Sequence, residues 1–481
     1  MLKFHKSVES ALKKAEHLCF IAPESSYSKG TYKKVLDKVL WEHMAPELKS
    51  PKAGLTGKVL NTFTSDKNIR SLSMAILPSK VSRGNTPTRK EWIHKYSASI
   101  EQHESSAIVV VLDHEDHYGA AAGAIARHSR LYSAKSGKKG KKAFHIVAVD
   151  SKGSVIAPKA SVTAAAEGVA WACKMVDAPP SDMNPKALSN EAKALFKNNK
   201  SVTCKEIVGA KLKQEKLNGV YAVGQAAVEA PRMLILDYKP SKSSKTVVLC
   251  GKGVTYDTGG LSLKISGGMV GMKSDMGGAA AVVGAFKALV DAKAKQRVIA
   301  ILGLVENAIG PEAYKNDDIL HMHSGKTVEI NNTDAEGRVV LADCVSYGAR
   351  KYKPDLLIDA ATLTGAQLVA TGLLHAGAVT NRDKIEDLAV KLGKETGDLV
   401  SPLPFAPEIF KAEFASKVAD MRNSVKNRMN AQSSCAAQFI YNHIEDVDTP
   451  WLHIELAGPA TSQGIGTGFG VSLMAELTRN I

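Results

Sequence analysis

Cysteine is scarce in this sequence, and no cysteine stands near another. The six, Cys19, Cys173, Cys204, Cys250, Cys344 and Cys435, form no CxxC pair. That spacing excludes a cysteine zinc site and a disulfide framework, and it reads as free thiols in a reducing compartment. No apolar run approaches the roughly 18 residues that a membrane-spanning helix needs. No secretory apolar stretch follows the N-terminus, and the first arginine is Arg70. An arginine-rich mitochondrial presequence is therefore not expected. Leu2, Val8, Leu12 and Ala15 do alternate with Lys3, Lys6, Lys13 and Lys14 as in a basic amphipathic helix, but Glu9 and Glu16 interrupt it. The expected location is cytoplasmic, with the mitochondrion as the alternative. Acid is also in deficit: 63 Lys and Arg face 48 Asp and Glu, a net charge of +15. A basic surface attracts nucleic acid or acidic partners, or simply keeps a protein soluble.

What is present is ordinary globular material. The chain has 481 residues, 44% hydrophobic and 23% charged. Disordered, collagenous and coiled-coil classes are excluded, and the length suits two to four domains. Residues 1 to 160 read as a smaller α/β domain. Its strands are expected at Ala107–Leu112 and His145–Val149, with a helix at Gly119–Tyr132. A loop carrying Lys135, Lys138, Lys139, Lys141 and Lys142 lies between the helix and the second strand. Residues 161–180 read as a linking helix halted by Pro179-Pro180. Residues 181–481 alternate strands (Met233–Tyr238, Thr246–Gly251, Val298–Val305, Asp355–Asp359, Trp451–Leu456) with helices (Lys186–Lys197, Gly278–Ala292, Arg338–Lys351, Ile385–Leu392, Ser434–His443). This pattern predicts a larger α/β domain with a mostly parallel central sheet covered by helices.

Three segments of that domain carry chemistry. In VVLCGKGVTYDTGGLSLK (Val247–Lys264) an apolar strand is expected to end at Gly251 and pass into a glycine-rich loop with Lys252 and Asp257. Ligand sites form where strands of open α/β sheets end; a tight turn is the plainer reading. In GMKSDMGGAAAV (Gly271–Val282), Asp275 precedes a helix and reads equally as an N-cap. In NNTDAEGRVVLAD (Asn331–Asp343), Asp334 and Glu336 are two apart, which in extended backbone puts both on one face, with Arg338 following at the same period. Four carboxylates converging in one crevice would repel, and divalent metal is the economical compensation. Oxygen-rich ligation suits Zn²⁺, Mn²⁺ or Mg²⁺.

These segments, with AATLTGA further on, resemble the M17 leucyl aminopeptidase family of dinuclear metallopeptidases. They match its pattern in order from about Ala178 to the C-terminus. The resemblance implies two metal ions, with Asp257 and Glu336 bridging them. Asp334 completes a looser site, and Lys252 and Asp275 a tighter one. Lys252 would bind as a neutral amine. Lys264 is implied as the cation that stabilises the oxyanion, and Arg338 as the holder of a bicarbonate general base. Met272, Asn332, Thr362, Leu363, Gly365, Ala457 and Ala460 are implied around the first substrate residue, as an apolar slot favouring leucine. The implied reaction releases N-terminal residues from peptides with a two-metal-activated water and bicarbonate-assisted proton transfer. The implied assembly is a homohexamer.

One segment departs from the family. After Asp420 and Asn423, where the family runs glycine-rich, this chain reads SVKNRMNAQSSC with Lys426 and Arg428, a loop that the resemblance implies borders the site, which leaves substrate access and preference open. Val339 replaces the usual leucine after Arg338. Asp113-His114-Glu115-Asp116-His117 has the composition of a metal cluster but reads as the start of a helix. His321 and His323 alternate as along a strand, and Cys250 and Cys344 read as core. The rival reading is a basic oligomer that binds nucleic acid through the Lys135–Lys142 loop; it is compatible with the peptidase reading because the residues differ.

Overall fold

The computed structural model describes residues 1–43, 52–129, 132–136, 142–243 and 245–481. They fall into two compact units, Met1–Ala170 with Gly393–Leu399, and Trp171–Leu392 with Val400–Ile481. The division falls inside one helix, α1 (Ala160–Asp177). Gly393–Leu399 belongs with the first unit, where the buried Asp398 pairs with the buried Lys90 and Thr86 donates to the carbonyl of Lys394.

The strands of the first unit are β1 (Leu2–Phe4), β2 (His17–Pro23), β3 (Lys58–Phe63), β4 (Ser71–Leu77), β5 (Ser105–Val111), β6 (Ala143–Val149) and β7 (Val155–Ile156). They form a sheet in the order β1-β6-β5-β2-β4-β3, with β7 on β6. Its inner strands β2, β5 and β6 pair in parallel and are apolar almost throughout, as strands buried on both faces must be. The N-terminal segment is not one amphipathic helix. Leu2–Phe4 pairs with β6, and only Val8–Leu12 is helical. Asp113–Asp116 are exposed; Glu115–His117 is a single turn leading into the helix Tyr118–Ala126, and Arg89 and Lys159 pair with its acids. Lys135 and Lys142 are exposed, whereas Lys138, Lys139 and Lys141 lie outside the described residues.

The second unit contains β8 (Val202–Val208), β9 (Arg232–Tyr238), β10 (Thr246–Asp257), β11 (Arg297–Asn307), β12 (Ile319–His321), β13 (Thr327–Glu329), β14 (Leu356–Ala361), β15 (Ala376–Thr380), β16 (Val400–Pro402), β17 (Met421–Arg422) and β18 (Trp451–Glu455). The main sheet runs β16-β15-β18-β14-β10-β11-β9-β8, and β12, β13 and β17 form a small separate sheet. Its centre, β18-β14-β10-β11, is parallel. The pairings β15–β18, β11–β9 and β9–β8 are antiparallel. The expected mostly parallel centre is thus present, with antiparallel flanks. His321 ends β12, but His323 lies beyond it in a turn, where its backbone N–H donates to Asp343 at 2.9 Å.

Helices α2 (Gly277–Asp291), α3 (Glu336–Tyr352), α4 (Gln432–Tyr441) and α5 (Val471–Arg479) cover this sheet. The side chains of β10 alternate between the faces. Val248, Cys250 and Val254 join α3 and α4 in one apolar core with Ile299, Ile301 and Trp451. On the other face α2 lies against β10, β14 and α5. Its first turns, GGAAAV, hold only small residues and one valine, so its backbone comes close to the sheet. A Cβ on Gly278 would stand 2.1 Å from the carbonyl oxygen of Ala360. Cys250 and Cys344 are both 0% exposed, as core residues should be, and none of the six cysteines is in a disulfide.

The clash at Gly278 is with backbone, which cannot swing aside as a side chain can. Gly278→Ala should therefore cost about 1–3 kcal/mol or more, read as a lowered midpoint of thermal unfolding. An unchanged midpoint would show that α2 can shift off the sheet without loss.

Candidate metal and catalytic centre

The candidate residues of the three segments come from separate elements and meet at one end of the parallel centre. Lys252 and Asp257 both lie on β10. The expected strand end at Gly251 is wrong: β10 continues to Asp257 because β11 stays in register beside it through Val254 and resumes at Asp257–Asn307 past an irregularity. Lys252 is thus a mid-strand side chain, 2% exposed. It reaches its partners because α3 presents Gly337 to it. A Cβ there would stand 2.4 Å from Lys252 Cε and 2.7 Å from Nζ.

Lys252 Nζ donates to Asp275 Oδ1 at 2.8 Å and to the carbonyl of Thr362 at 2.7 Å, and lies 3.0 Å from Glu336 Oε1. Asp275 is not an N-cap. Met276 occupies that position, and Asp275 Oδ1 also accepts from Thr362 Oγ1 at 2.8 Å. Lys264 Nζ lies 2.7 Å from Asp257 Oδ2 and also bonds Asp334. Asp334 and Glu336 do not lie on extended backbone. Asp334 sits in a turn and Glu336 is the first residue of α3, yet their carboxylates converge. Oxygen atoms of Asp257, Asp334 and Glu336 all lie within 4.8 Å of one another, a spacing that one ion can span.

Burial works against every charge here. It raises the Glu336 carboxyl to about 7, helped by the neighbouring Asp257. It raises Asp275 well above the usual carboxylate range, Lys252 opposing, and it also raises Asp334, Lys264 opposing. For Lys252, burial favours loss of the proton, but Asp275, Glu336 and Asp257 outweigh it and hold the pKa above the ordinary value. Lys264 behaves the same way beside Asp257 and Glu336. Burial lowers Arg338 to about 10.

Several buried polar atoms at this place have no hydrogen-bond partner among the described residues: Asp275 Oδ2, Glu336 Oε2 and Arg338 Nε. Unpartnered buried polar atoms are rare and costly. Here the two carboxylate oxygens sit beside the three-carboxylate cluster, which is the donor set a hard divalent cation takes. The residues present therefore fit metal. Arg338, 4% exposed, spends Nη1 on the carbonyl of Asn423 at 3.1 Å, and its unpartnered Nε suits an anion.

The residues expected around the substrate are grouped less tightly. Thr362 and Leu363 follow β14, Ala457 and Ala460 follow β18, and Met272 opens a single turn. Gly365 is exposed with open space where a Cβ would be. Asn332 Oδ1 accepts from the N–H of Asp334 at 3.0 Å. A small apolar cavity lies against Ala460, between Gly277, Ala281 and Phe469. The Lys426–Arg428 segment is exposed and anchored at both ends. Ser424 exchanges two hydrogen bonds with the Asn331 side chain, and Ser433 bonds Thr364 at 2.7 Å.

Two buried residues that carry this arrangement escape sequence reading. Asn307, at the end of β11, donates to Asp257 Oδ1 at 2.8 Å and to the carbonyl of Thr333 at 3.1 Å. Glu455, 0% exposed, accepts from the N–H groups of Leu363 and Ala457 at 2.9 and 3.1 Å and from Thr364 Oγ1 at 2.9 Å, so it joins the loops after β14 and β18. A signal for Glu455 exists: it is a carboxylate in the largely apolar segment WLHIEL. Asn307 has none, since nothing in its neighbourhood marks it.

Removing one partner from a buried ion cluster is expensive. Lys252→Met should destabilise the metal-free protein by about 3–5 kcal/mol, read as a lower unfolding midpoint at neutral pH with chelator present. Equal midpoints would mean that Asp275 and Glu336 need no counter-charge from Lys252.

Comparison with known proteins agrees with this geometry. The pattern of the cytosol aminopeptidase family, catalytic domain, matches residues 170–475, and that of the M17 aminopeptidase N-terminal domain 2 matches residues 31–138. A probable aminopeptidase, NPEPL1, of Mus musculus is 41% identical over 414 residues, covering 84% of this chain and 79% of the relative. Leucine aminopeptidase 1 of Caenorhabditis elegans is 39% identical over 407 residues, covering 83% and 82%. The apo structure of leucyl aminopeptidase from Trypanosoma cruzi superposes with a TM-score of 0.89 at 35% identity, covering 100% of this chain and 96% of its own. On this evidence the chain belongs to the M17, or cytosol aminopeptidase, family of peptidases.

Proposed function

We propose that this protein is a metal-dependent aminopeptidase that releases N-terminal residues, leucine foremost, from peptides. The observation that carries the reading is the convergence of Asp257, Asp275, Asp334 and Glu336 on Lys252 and Lys264, with buried carboxylate oxygens left unpartnered. Asp257 and Glu336 would be shared between two divalent ions, Asp334 would complete one site, and Lys252 with Asp275 the other. Zn²⁺, Mn²⁺ or Mg²⁺ at this place would supply Lewis acidity and an acidified water.

The chain's own groups supply the rest. Lys264 keeps its proton beside Asp257 and would donate to an oxyanion developing at the scissile carbonyl. Arg338, with Nε free for an anion, would hold a bicarbonate whose role is that of a base. Lys252 ligates only after losing its proton, since an ammonium has no lone pair. Met272, Asn332, Thr362, Leu363, Gly365, Ala457 and Ala460 would surround the first side chain. An apolar slot discriminates by only about 1–3 kcal/mol per methylene, so the preference for leucine should be broad. Assembly as a homohexamer and a cytoplasmic location belong to the same proposal.

Leu-amide and N-acetyl-Leu-amide separate this reading from other hydrolyses. Metal-loaded protein should cleave the first and spare the second, because blocking removes the free amine. Chelator should abolish cleavage and Mn²⁺ or Zn²⁺ restore it. Equal cleavage of both amides, or activity that survives chelation, would overturn the reading.

The net charge of +15 supports a second, separable role in binding nucleic acid. Affinity for DNA should then fall steeply as salt rises and persist in Asp334→Ala. A salt-insensitive affinity would exclude it.

A further inference from the structure

Asn423 touches none of the carboxylates of the centre, yet it is bonded to the loop that carries two of them. It follows β17 directly. The pairing of β13 with β17 sets Glu329 opposite Arg422, and the N–H of Asn423 donates to the carbonyl of Glu329 at 3.1 Å. The side chain is thereby delivered, 0% exposed, against the turn that follows β13. Its Oδ1 accepts from the N–H groups of Asn331 at 3.0 Å and Asn332 at 3.3 Å. Its Nδ2 donates to the carbonyls of Asn332 at 2.7 Å and Ala335 at 3.4 Å. Its own carbonyl accepts from Arg338 Nη1 at 3.1 Å.

This set of bonds demands an amide. Two of the loop groups are donors and two are acceptors, and only a side chain with both functions at this length meets all four. The bonded backbone groups flank Asp334 and end one residue before Glu336. Asn307, Tyr314 and Gly259 also hold this turn at Thr333, but the bonds of Asn423 bracket Asp334 from both sides, where the repulsion of the carboxylates must be resisted. We propose that Asn423 is a positioning residue for the metal centre: its side-chain amide holds the Asn331–Ala335 turn so that Asp334 and Glu336 converge, and its carbonyl aims Arg338 at the same place. The proposal rests on the metal-dependent reading above.

The test compares wild type with Asn423→Ala, which removes all four side-chain bonds, and Asn423→Asp, which keeps the shape and the two accepting bonds. Calorimetric titration of chelator-stripped protein with Mn²⁺ is the primary readout, beside thermal unfolding of the metal-free proteins and kcat and KM for Leu-amide. Affinity for Mn²⁺ should fall by about 10–100-fold in Asn423→Ala, and kcat by a similar factor, as when groups behind metal ligands are lost. KM should change by less than kcat does, since among the described residues Asn332 is the one member of the proposed slot that Asn423 bonds, and it does so through the backbone. Asn423→Asp should fold and fall in between. Folded variants that keep both Mn²⁺ affinity and kcat overturn the proposal. So does an Asn423→Asp protein that cannot fold, which would make the residue a support of the fold alone. Wild type that binds Mn²⁺ without cleaving Leu-amide defeats the functional reading only, and the Mn²⁺ titrations still decide on Asn423. Wild type that binds no Mn²⁺ overturns both.

Discussion

Like charge held out of water is the constraint on which the second unit turns. Asp257, Asp275 and Glu336 are nearly inaccessible, Asp334 is part-buried, and two ammonium groups stand among them. Ionised groups are tolerated in an interior only when paired and hydrogen-bonded. Much of the surrounding geometry serves that requirement. β10 runs past its apolar stretch so that Lys252 enters from the middle of a strand, and the second residue of α3 is a glycine where the lysine stem passes. The thin packing of α2 on β14 brings Asp275 close to Thr362, whose backbone and side chain bind Lys252 and Asp275 in turn.

The carboxylates come from the end of β10, two turns and the start of α3, and they repel one another. They are held by neutral polar groups instead. Asn307 ties the end of β11 to Asp257 and to the carbonyl of Thr333, which also accepts from the Tyr314 hydroxyl at 2.7 Å. Thr333 Oγ1 donates to the carbonyl of Gly259 at 2.7 Å and accepts from the N–H of Ser262 at the same distance. The loops after β10 and β13 are thereby joined side by side. Glu455 does the same for the loops after β14 and β18. A buried network satisfied in this way is rigid, because each bond broken leaves a polar group without water to replace it.

The sequence displayed the charged members of this centre and concealed their supports. Lys252, Asp257, Asp275, Asp334, Glu336 and Arg338 stand in short motifs whose glycines and acids look out of place beside apolar strands. The strands and helices of the second unit were legible too, since β-branched runs and Ala-rich segments announce buried elements. The local conformations were not. A strand was expected to stop at a glycine, but cross-strand pairing with β11 carried it on to Asp257. Spacing of two suggests extended backbone, but Asp334 and Glu336 occupy a turn and a helix start, and the turn is bonded from outside. Asn307 is a single amide from a distant segment, and its role depends on contacts that only the tertiary fold creates. At the N-terminus, too, strand pairing overrides a local pattern. Its lysines have a helical spacing, yet Leu2–Phe4 gains a backbone ladder on β6 that a helix would forgo.

A lysine at position 252 is the least obvious choice in the centre, and the charges account for it. Without metal, four carboxylates in a partly closed site need cations. Lys252 and Lys264 provide them, and the acids in turn hold the Lys252 proton against burial. On the proposed assignment, divalent ions would take over that neutralisation, and a second fixed positive charge next to them would become a liability. An aspartate at 252 would leave the metal-free site more acidic, and an arginine would keep its charge with metal present. A buried lysine alone among these can be an ammonium in one state and a neutral nitrogen donor in the other. Its burial in β10, with Gly337 opposite, keeps the same nitrogen within reach of Asp275 and Glu336 for both. Lys264 sits nearer to solvent, with 17% of its side chain exposed against 3% for Lys252. Water can help solvate its charge there, which suits it to remain an ammonium when Lys252 does not.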